Sequence, residues 1–377
     1  VAALVNGAMA HVVEMDDIDK DSIFHPAAPI VAAAAAAAEA TGCYGDAFVA
    51  GVVAGYEVAT RIGRAVNPSH YRFWHTTATV GTLGAAVSAG KVLGLHEGQL
   101  SHAINLSATL AGGLTEVMRE ENMAKPFHSG KAAAQGLLAA LAAREGLTAA
   151  STLVDGPGGF LRATSQEPRV EAIASGLGSR WNILENTFKY HASCGHTHAA
   201  VDCVLALRAR GLVAQDVQHL EVRTYTRAIE LTDKPDPRTV YEAKFSMQYC
   251  MAAALVEGMV GLEQFREELF HSPELRALCR KMTLVADPEA DAAFPRQRRA
   301  RVRVTTRDGR SWEHQVFYRK GDPENPVTPE ELRAKFESLV RAGVGPGAAS
   351  RLVDALAQLE RRPVREFAAA VSEVVRR

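Results

Sequence analysis

The segment Lys125-Pro-Phe-His-Ser-Gly-Lys131 lies between a Gly-rich apolar run, 110–114, and an Ala/Leu-rich stretch. A residue that precedes proline disfavours helical geometry, so we expect Lys125 to be extended and Ser129 to cap a helix over 130–144. A lysine, a histidine and free backbone N–H groups would then surround one small space. Because these donors and the helix dipole favour negative charge, the segment predicts a carboxylate-binding site. The alternative is a capped helix whose lysines face water.

Composition excludes several classes of function. The chain has 377 residues, which favours two or three domains, and its formal net charge of -1 gives no electrostatic reason to bind nucleic acid or an anionic membrane. Five scattered cysteines predict neither a disulfide framework nor a zinc pattern, and they favour a reduced, cytoplasmic setting. No apolar run is long enough to span a bilayer. The chain starts in mid-pattern at Val1, so we expect further residues upstream.

A dense acidic segment follows the first predicted helix, 1–13, and is closed by His25-Pro26. It lacks the glycine and the terminal glutamate of a calcium loop, which argues against that kind of metal site. Two other interpretations stay open: a solvated turn, or a carboxylate that works with His25 as an acid/base pair. The carboxylates concerned are Glu14, Asp16, Asp17, Asp19 and Asp21.

A second group of polar and aromatic residues precedes another predicted helix. The six residues 70–75 comprise two histidines, an arginine and three aromatics, and the helix begins near Thr76. A loop packed down by its aromatics, with His75 as a helix cap, would explain these residue types. Because the arrangement repeats the design around Lys125, we predict that His75 is functional.

The rest of the chain predicts a mainly α fold. Helices joined by short Gly links up to about 144 form a bundle. The β signals come later: a strand over 217–229, and a hairpin of 300–306 and 311–318 around Asp308-Gly309. We therefore predict a large all-helical domain built from both chain ends, 1–185 and 319–377, with a smaller α+β domain, 186–318, inserted between them.

The sequence lacks several common catalytic motifs, and a set of cations and histidines remains as the candidate for chemistry. Phosphate-loop, dinucleotide-binding and nucleophile-elbow patterns are absent. A zinc site from Cys194, His196 and His198 has suitable ligand types but a less suitable context. The remaining feature is a set of cations and histidines at helix starts: His25, His75, Lys125, His128, Lys189, His196 and His198.

Such a set suits a polyanionic small molecule. Lys and His donors around a carboxylate stabilise the anion that forms when the adjacent carbon loses its proton. A neutral His or an Asp can take that proton, and a second His can protonate a leaving hydroxyl. We expect a site without metal or cofactor that performs elimination, epimerisation or decarboxylation.

Short stretches in order along most of the chain resemble the MmgE/PrpD family, which includes 2-methylcitrate dehydratase, cis-aconitate decarboxylase and iminodisuccinate epimerase. The stretches are Asn6-Gly-Ala-Met-Ala-His11, Glu14-Met-Asp-Asp17, His25-Pro26, Gly55-Tyr-Glu57, His75-Thr-Thr-Ala-Thr-Val-Gly81, Lys125-Pro-Phe-His128-Ser-Gly, Phe188-Lys189 with Cys194 and His198, and Lys244-Phe-Ser-Met-Gln-Tyr249. The resemblance implies a homodimer and a metal-free active site at the domain junction.

The resemblance also places His25, His75 and Lys125 at the family's active-site positions, and the other residues are added from the reasoning above. The predicted catalytic residues are His25, His75, Asp17 and Lys125, and the predicted substrate-binding residues are Glu14, Asp16, His128, Lys189, Cys194 and His198. Cys194 stands where the family's decarboxylases carry a histidine, Glu14 where an aspartate is usual, and Ile18 where a threonine is found. These differences count against cis-aconitate decarboxylase.

We therefore predict a cofactor-independent hydro-lyase that acts on a small di- or tricarboxylate, such as 2-methylcitrate. The alternatives are an isomerase or epimerase of a similar acid, and a non-catalytic helical binding protein with this fold.

Overall fold

The computed structural model describes residues 1–118, 122–345 and 347–375. The chain splits into two compact units, Val1–Thr187 with Gly343–Arg377, and Phe188–Ala342. It is mainly helical with one four-stranded sheet, which confirms the predicted mainly α class. The domain boundaries at 185 and 319 stay a prediction. Within the described ranges, no helix combines the length and the apolar character needed to cross a membrane.

The first unit begins with seven α-helices, counted over the described residues. They are α1 Ala2–Val12, α2 Ala27–Thr41, α3 Gly45–Val66, α4 Thr76–Val92, α5 Glu97–Leu110, α6 Ala124–Arg144 and α7 Phe160–Thr164. Short 3-10 turns cover Ser69–Arg72, Thr115–Met118, Val170–Ala172 and Asn182–Glu185.

Helix α4 is the centre of this unit, and every one of its residues except Lys91 is buried. Small residues allow its neighbours to approach closely. A Cβ added at Gly136 of α6 would lie 2.5 Å from the Ala85 Cβ, and one at Gly55 of α3 would lie 2.8 Å from the Gly84 carbonyl oxygen. Larger side chains would overpack these crossings. The tight bundle thereby holds the start of α4, where His75 lies, inside the unit.

Helix α6 begins earlier than predicted. It starts at Ala124, whose N–H donates to the Asn122 side chain at 2.8 Å, and Lys125 is helical. Pro126 fits because it lies in the first turn, where backbone N–H groups have no acceptor within the helix. The expected extended Lys125 and Ser129 cap are therefore wrong. Lys125 and His128 instead project from the first turns of α6.

The second unit contains the sheet. Its elements are α8 His198–Ala209, β1 Val217–Thr224, α9 Thr226–Thr232, α10 Val240–Lys244, α11 Met247–Glu257, α12 Glu267–Phe270, α13 Pro273–Cys279, β2 Met282–Ala286, α14 Pro288–Ala293, β3 Ala300–Thr306, β4 Ser311–Val316 and α15 Pro329–Val344. Further 3-10 turns cover Ala214–Asp216 and Leu262–Phe265. The strand order is β2-β1-β3-β4, with β1 parallel to β2 and the other pairs antiparallel.

The predicted hairpin is confirmed as β3 and β4, and its turn contains Gly309 at a φ of 82°. The strand predicted over 217–229 is shorter, because the chain enters α9 at Thr226. Strand β2 has no counterpart among the predicted elements. Its five residues show no clear alternation of buried and exposed positions, so they carry little period-two signal.

Two helices, α16 Ala348–Ala357 and α17 Val364–Val375, and a 3-10 turn, Leu359–Arg361, complete the first unit. Leu359 and Val364 belong to the same apolar core as the alanines of α2. The Val364 N–H donates to the Cys43 carbonyl oxygen at 3.0 Å. The two ends of the chain therefore share one core.

Candidate active site

His75 caps the start of α4 and faces His128 on α6. Its backbone N–H donates to the Gly113 carbonyl oxygen at 3.0 Å, and its Nδ1 lies 3.2 Å from the Nδ1 of His128. Burial, together with the positive charges of nearby histidines and Lys125, lowers the pKa of His75 well below its ordinary value. The ring is therefore neutral near neutral pH and can accept a proton.

His11, Asp16 and His25 form a compact group beside His75, in which His11 is buried and the other two residues are partly buried. Asp16 Oδ2 lies 2.5 Å from His11 Nδ1 and 3.4 Å from His25 Nδ1. The ring of His11 lies 4.8 Å from that of His25 and 6.4 Å from that of His75, between centroids. Burial opposes ionisation of Asp16, but the charges of His11 and His25 outweigh it and hold the Asp16 pKa well below its ordinary value.

The donor types of this group also suit a metal ion, and the geometry tests that interpretation. His11, Asp16 and His25 are the one such group in the described part of the chain, with ligand atoms within 4.8 Å of one another. Two ligands of a tetrahedral zinc ion stand roughly 3.3 Å apart. The 2.5 Å between His11 and Asp16 is a hydrogen-bond distance. We therefore interpret the group as one that shares protons.

Asp17 is hydrogen-bonded into the scaffold. Its Oδ2 accepts from the Tyr56 hydroxyl at 2.7 Å and from the Asn186 amide, and its Oδ1 accepts from the Ala27 N–H at the start of α2 at 2.9 Å. The carboxylate that contacts the histidines is that of the neighbouring residue, Asp16. The catalytic role of Asp17 stays a prediction. Its observed hydrogen bonds attach the acidic loop, residues 14–25, to α2 and α3.

We expect the ionisation of Asp17 to lower the free energy of unfolding as the pH rises from about 4 to about 6. Burial raises the pKa of this carboxyl from 3.8 to about 6, so in this window the folded state binds more protons than the unfolded state. Asp17→Asn should remove the fall, of about 3 kcal/mol. Urea unfolding at a series of pH values measures it. Asp46→Asn, a change at an exposed carboxylate, is the control and should keep the wild-type slope; an unchanged slope in Asp17→Asn would contradict the assignment.

Glu14 and Lys125 form a buried ion pair between Lys125 Nζ and Glu14 Oε1. Glu14 has a φ of 59°, which is uncommon for a residue other than glycine. The acidic loop turns sharply there and brings the carboxylate to the first turn of α6. The lysine ammonium thus lies within the unit, close enough for its charge to lower the pKa of His75.

The remaining predicted residues lie in the second unit. Lys189 and Cys194 are buried, and the Cys194 N–H donates to the Lys244 carbonyl oxygen at 2.8 Å. His198 starts α8 with its Nε2 3.3 Å from the Ser193 carbonyl oxygen. Burial and the charge of His191 lower the pKa of His198 well below its ordinary value. Among the described residues, Cys194, His196 and His198 do not form a group that could hold a metal ion, and His196 Nδ1 is bonded to the Tyr225 hydroxyl at 2.6 Å.

The structure thus gathers one predicted set of residues in the first unit. This set contains Glu14, Asp16, Asp17, His25, His75, Lys125 and His128. It also adds His11, which is fully buried and which the sequence-based site list omits. The available signal was its place at the end of the stretch Asn6-Gly-Ala-Met-Ala-His11, five residues before Asp16.

Comparison with family models gives two matches. The MmgE/PrpD N-terminal domain matches residues 1–173, and the MmgE/PrpD C-terminal domain matches residues 191–361. The first match contains every residue of the histidine and carboxylate cluster described above. The second contains Cys194 and His198 but begins after Lys189.

Two of three individual relatives are similar over most of the chain, and the third over about a third of it. A cis-aconitate decarboxylase-like protein, oryM, of Aspergillus oryzae is 29% identical over 386 residues, covering 95% of this chain and 79% of that protein. The cis-aconitate decarboxylase of Aspergillus terreus is 28% identical, covering 96% and 78%. A mitochondrial 2-methylcitrate dehydratase of Yarrowia lipolytica is 25% identical over 138 residues, covering 34% and 26%.

Proposed function

The chain belongs to the MmgE/PrpD family, and from that premise we propose that it is a lyase that acts on a small di- or tricarboxylic acid. The reaction starts with removal of a proton from the carbon next to a carboxylate and proceeds by loss of water. The proposed substrate resembles 2-methylcitrate. No cofactor takes part in the proposed chemistry, because imidazoles carry the protons.

The observation that carries the proposal is the convergence of four histidines and a lysine inside one compact unit. They come from α1, the acidic loop, the start of α4 and the first turns of α6. Buried imidazoles with perturbed pKa values beside carboxylates are typical of acid/base sites. A scaffold protein would have no need to keep so many titratable groups away from water, since their burial costs free energy.

His75 and His25 differ in a way that suits opposite roles. The lowered pKa of His75 makes it the neutral imidazole that accepts the substrate proton. His25 lies beside the ionised Asp16, which stabilises its imidazolium form, so His25 suits the acid that protonates the leaving hydroxyl. The side chain of His25 is 15% exposed and that of Asp16 only 3%, so the histidine is the group that a substrate can reach.

Lys125 is the proposed partner of the substrate carboxylate. Its ammonium lies at the start of α6, where the helix dipole adds to the positive potential. The enolate-like anion that forms when the proton leaves carries more negative charge on that carboxylate, and a fixed cation stabilises it. His128, which lies on the same helix, contacts His75. Lys189, Cys194 and His198 stay proposed substrate contacts.

Decarboxylation is the second candidate reaction. The relatives that match nearly the whole chain are named as cis-aconitate decarboxylases, whereas the dehydratase relative matches about a third of it. The residue differences at Glu14, Ile18 and Cys194 favour dehydration, because they fall on positions at which the decarboxylases differ. Both reactions begin at a carbon flanked by carboxylates and use the same histidines.

A substrate screen tests the proposal. We expect one or more citrate-like acids to lose water, with a new absorbance in the near ultraviolet from the double bond, and the product mass separates loss of water from loss of carbon dioxide. Incorporation of solvent deuterium without net conversion would instead indicate an isomerase. Neither turnover nor exchange across citrate-like and aspartate-like acids would overturn the proposal in favour of a binding protein.

The assembly and location of the protein are proposed on family grounds. We propose a cytoplasmic homodimer that binds neither nucleic acid nor membrane. The near-neutral charge supports the absence of a polyanion partner. Light scattering of the purified protein measures the oligomeric state, and a monomer would contradict this part.

A further inference from the structure

One oxygen of Asp16 serves two imidazoles, and the nearer one is His11. Asp16 Oδ2 lies 2.5 Å from His11 Nδ1 and 3.4 Å from His25 Nδ1. His11 is 0% exposed, and its Nε2 atom has no hydrogen-bond partner among the residues that the structure describes. The same holds for Asp16 Oδ1. Most buried side-chain polar atoms have a hydrogen-bond partner, so an orphan ring nitrogen beside an orphan carboxylate oxygen calls for an explanation.

We propose that His11 is a positioning residue. Its imidazolium neutralises part of the Asp16 charge, and His25 therefore releases its proton more readily. This inference rests on the proposed function, in which His25 transfers a proton. Asp16 carries one negative charge and cannot compensate two imidazolium rings in a buried place. His11 and His25 therefore compete for it, and with His11 closer, the proton on His25 is easier to release.

Other titratable groups lie close to the cluster. They are Glu14 and Asp17 on the acidic loop, Tyr56 on α3, His75 at the start of α4, and Lys125 and His128 on α6. Lys125 is paired with Glu14, and Tyr56 with Asp17. His75 and His128 contact each other. His11 and His25 both contact Asp16.

The test is the variant His11→Asn. An asparagine amide takes the place of the histidine Nδ1, so it can still donate to Asp16 but cannot carry a charge. We expect the limb of the pH–rate profile that belongs to His25 to move to higher pH by about one unit, because Asp16 then serves His25 alone. His11→Gln, whose amide matches Nε2 instead, should show the same shift with lower thermal stability.

Two further variants make the charge argument specific. Asp16→Asn should move the His25 limb in the opposite direction, to lower pH. The double variant His11→Asn/Asp16→Asn removes both charges, so the shift caused by His11→Asn alone should disappear. Circular dichroism melting shows that each variant is folded before its profile is measured. If His11→Asn lowers the rate equally at all pH values, His11 is only structural and the proposal is overturned.

A second measurement does not depend on catalysis. The ring C–H resonances of His25, assigned among the 13 histidines through His25→Asn, report its protonation by NMR titration. The titration midpoint should rise by about one pH unit in His11→Asn. If no acid is turned over but the midpoint rises, the proposed function fails and the inference about His11 stands. An unchanged midpoint overturns the inference whatever the activity.

Discussion

Replacing His75 with asparagine is expected to lower kcat for the substrate acid by about 10²- to 10⁴-fold, the usual contribution of a positioned acid or base. The asparagine amide can keep the contact that His75 Nδ1 makes with His128 at 3.2 Å, so the variant loses the proton acceptor more than the packing. In the wild type, burial lowers the pKa of His75, so the ring stays neutral even at pH values below the ordinary pKa of histidine. The acidic limb of kcat/KM that belongs to His75 should therefore lie below the ordinary pKa of histidine.

His70 provides a matched control in the same segment. Its ring is fully buried, its Nε2 lies 2.8 Å from the Thr79 hydroxyl, and burial lowers its pKa to about 4. It shows no contact with the His11, Asp16 and His25 group. His70→Asn should lower the melting temperature while kcat per folded molecule stays near that of the wild type. Equal loss of kcat in both variants would mean that His75 acts only by packing.

The residues of the cluster could be predicted one at a time, but their arrangement could not. His25, His75 and Lys125 were recognisable because each lies at or near a predicted helix start in an otherwise apolar chain. The start of α6 was misplaced because the rule for residues before proline competes with the tolerance of the first turn for proline. In the structure the Asn122 side chain accepts from the Ala124 N–H, and the helix begins at Ala124 and includes Lys125.

In the acidic loop, the sequence could not predict which aspartate contacts the histidines. Asp16 and Asp17 are adjacent and chemically identical, yet Asp16 turns to His11 and His25, and Asp17 turns to Tyr56. Neighbouring residues in an irregular loop have no periodicity that would separate them. The backbone of Ile18 pairs with Thr187, which lies far away in sequence, so part of what holds this loop cannot be read from the loop's own residues.

His11 was missed for the same reason. On its own, a histidine at the end of an amphipathic helix has no feature that separates a packed ring from a functional one. Its role depends on the 2.5 Å contact with Asp16, which exists only because the loop folds back on the end of α1. The short edge strand β2 in the second unit is a similar case. The alternation of residues in β2 alone does not predict that it pairs with β1.

The ion pair between Lys125 and Glu14 allows stability and function to be separated. Removing one member of a buried pair leaves the other charge uncompensated, so Lys125→Met and Glu14→Gln should each lower the free energy of unfolding by about 3 kcal/mol. The double variant Lys125→Met/Glu14→Gln removes both charges of the pair. Its free energy of unfolding should return close to that of the wild type, because replacing both partners of a buried pair is often neutral. Urea unfolding measures all three.

Activity should follow a different order across the same variants. If Lys125 binds the substrate carboxylate, Lys125→Met and the double variant should both raise KM by roughly 10- to 100-fold, the value of a charge-assisted hydrogen bond. Glu14→Gln keeps the ammonium and removes its competitor, so its KM should not rise. A stable double variant with an impaired KM assigns the defect to substrate binding and not to unfolding. Full activity in Lys125→Met or Lys125→Ala would remove this lysine from the site and leave its pairing with Glu14 as its whole role.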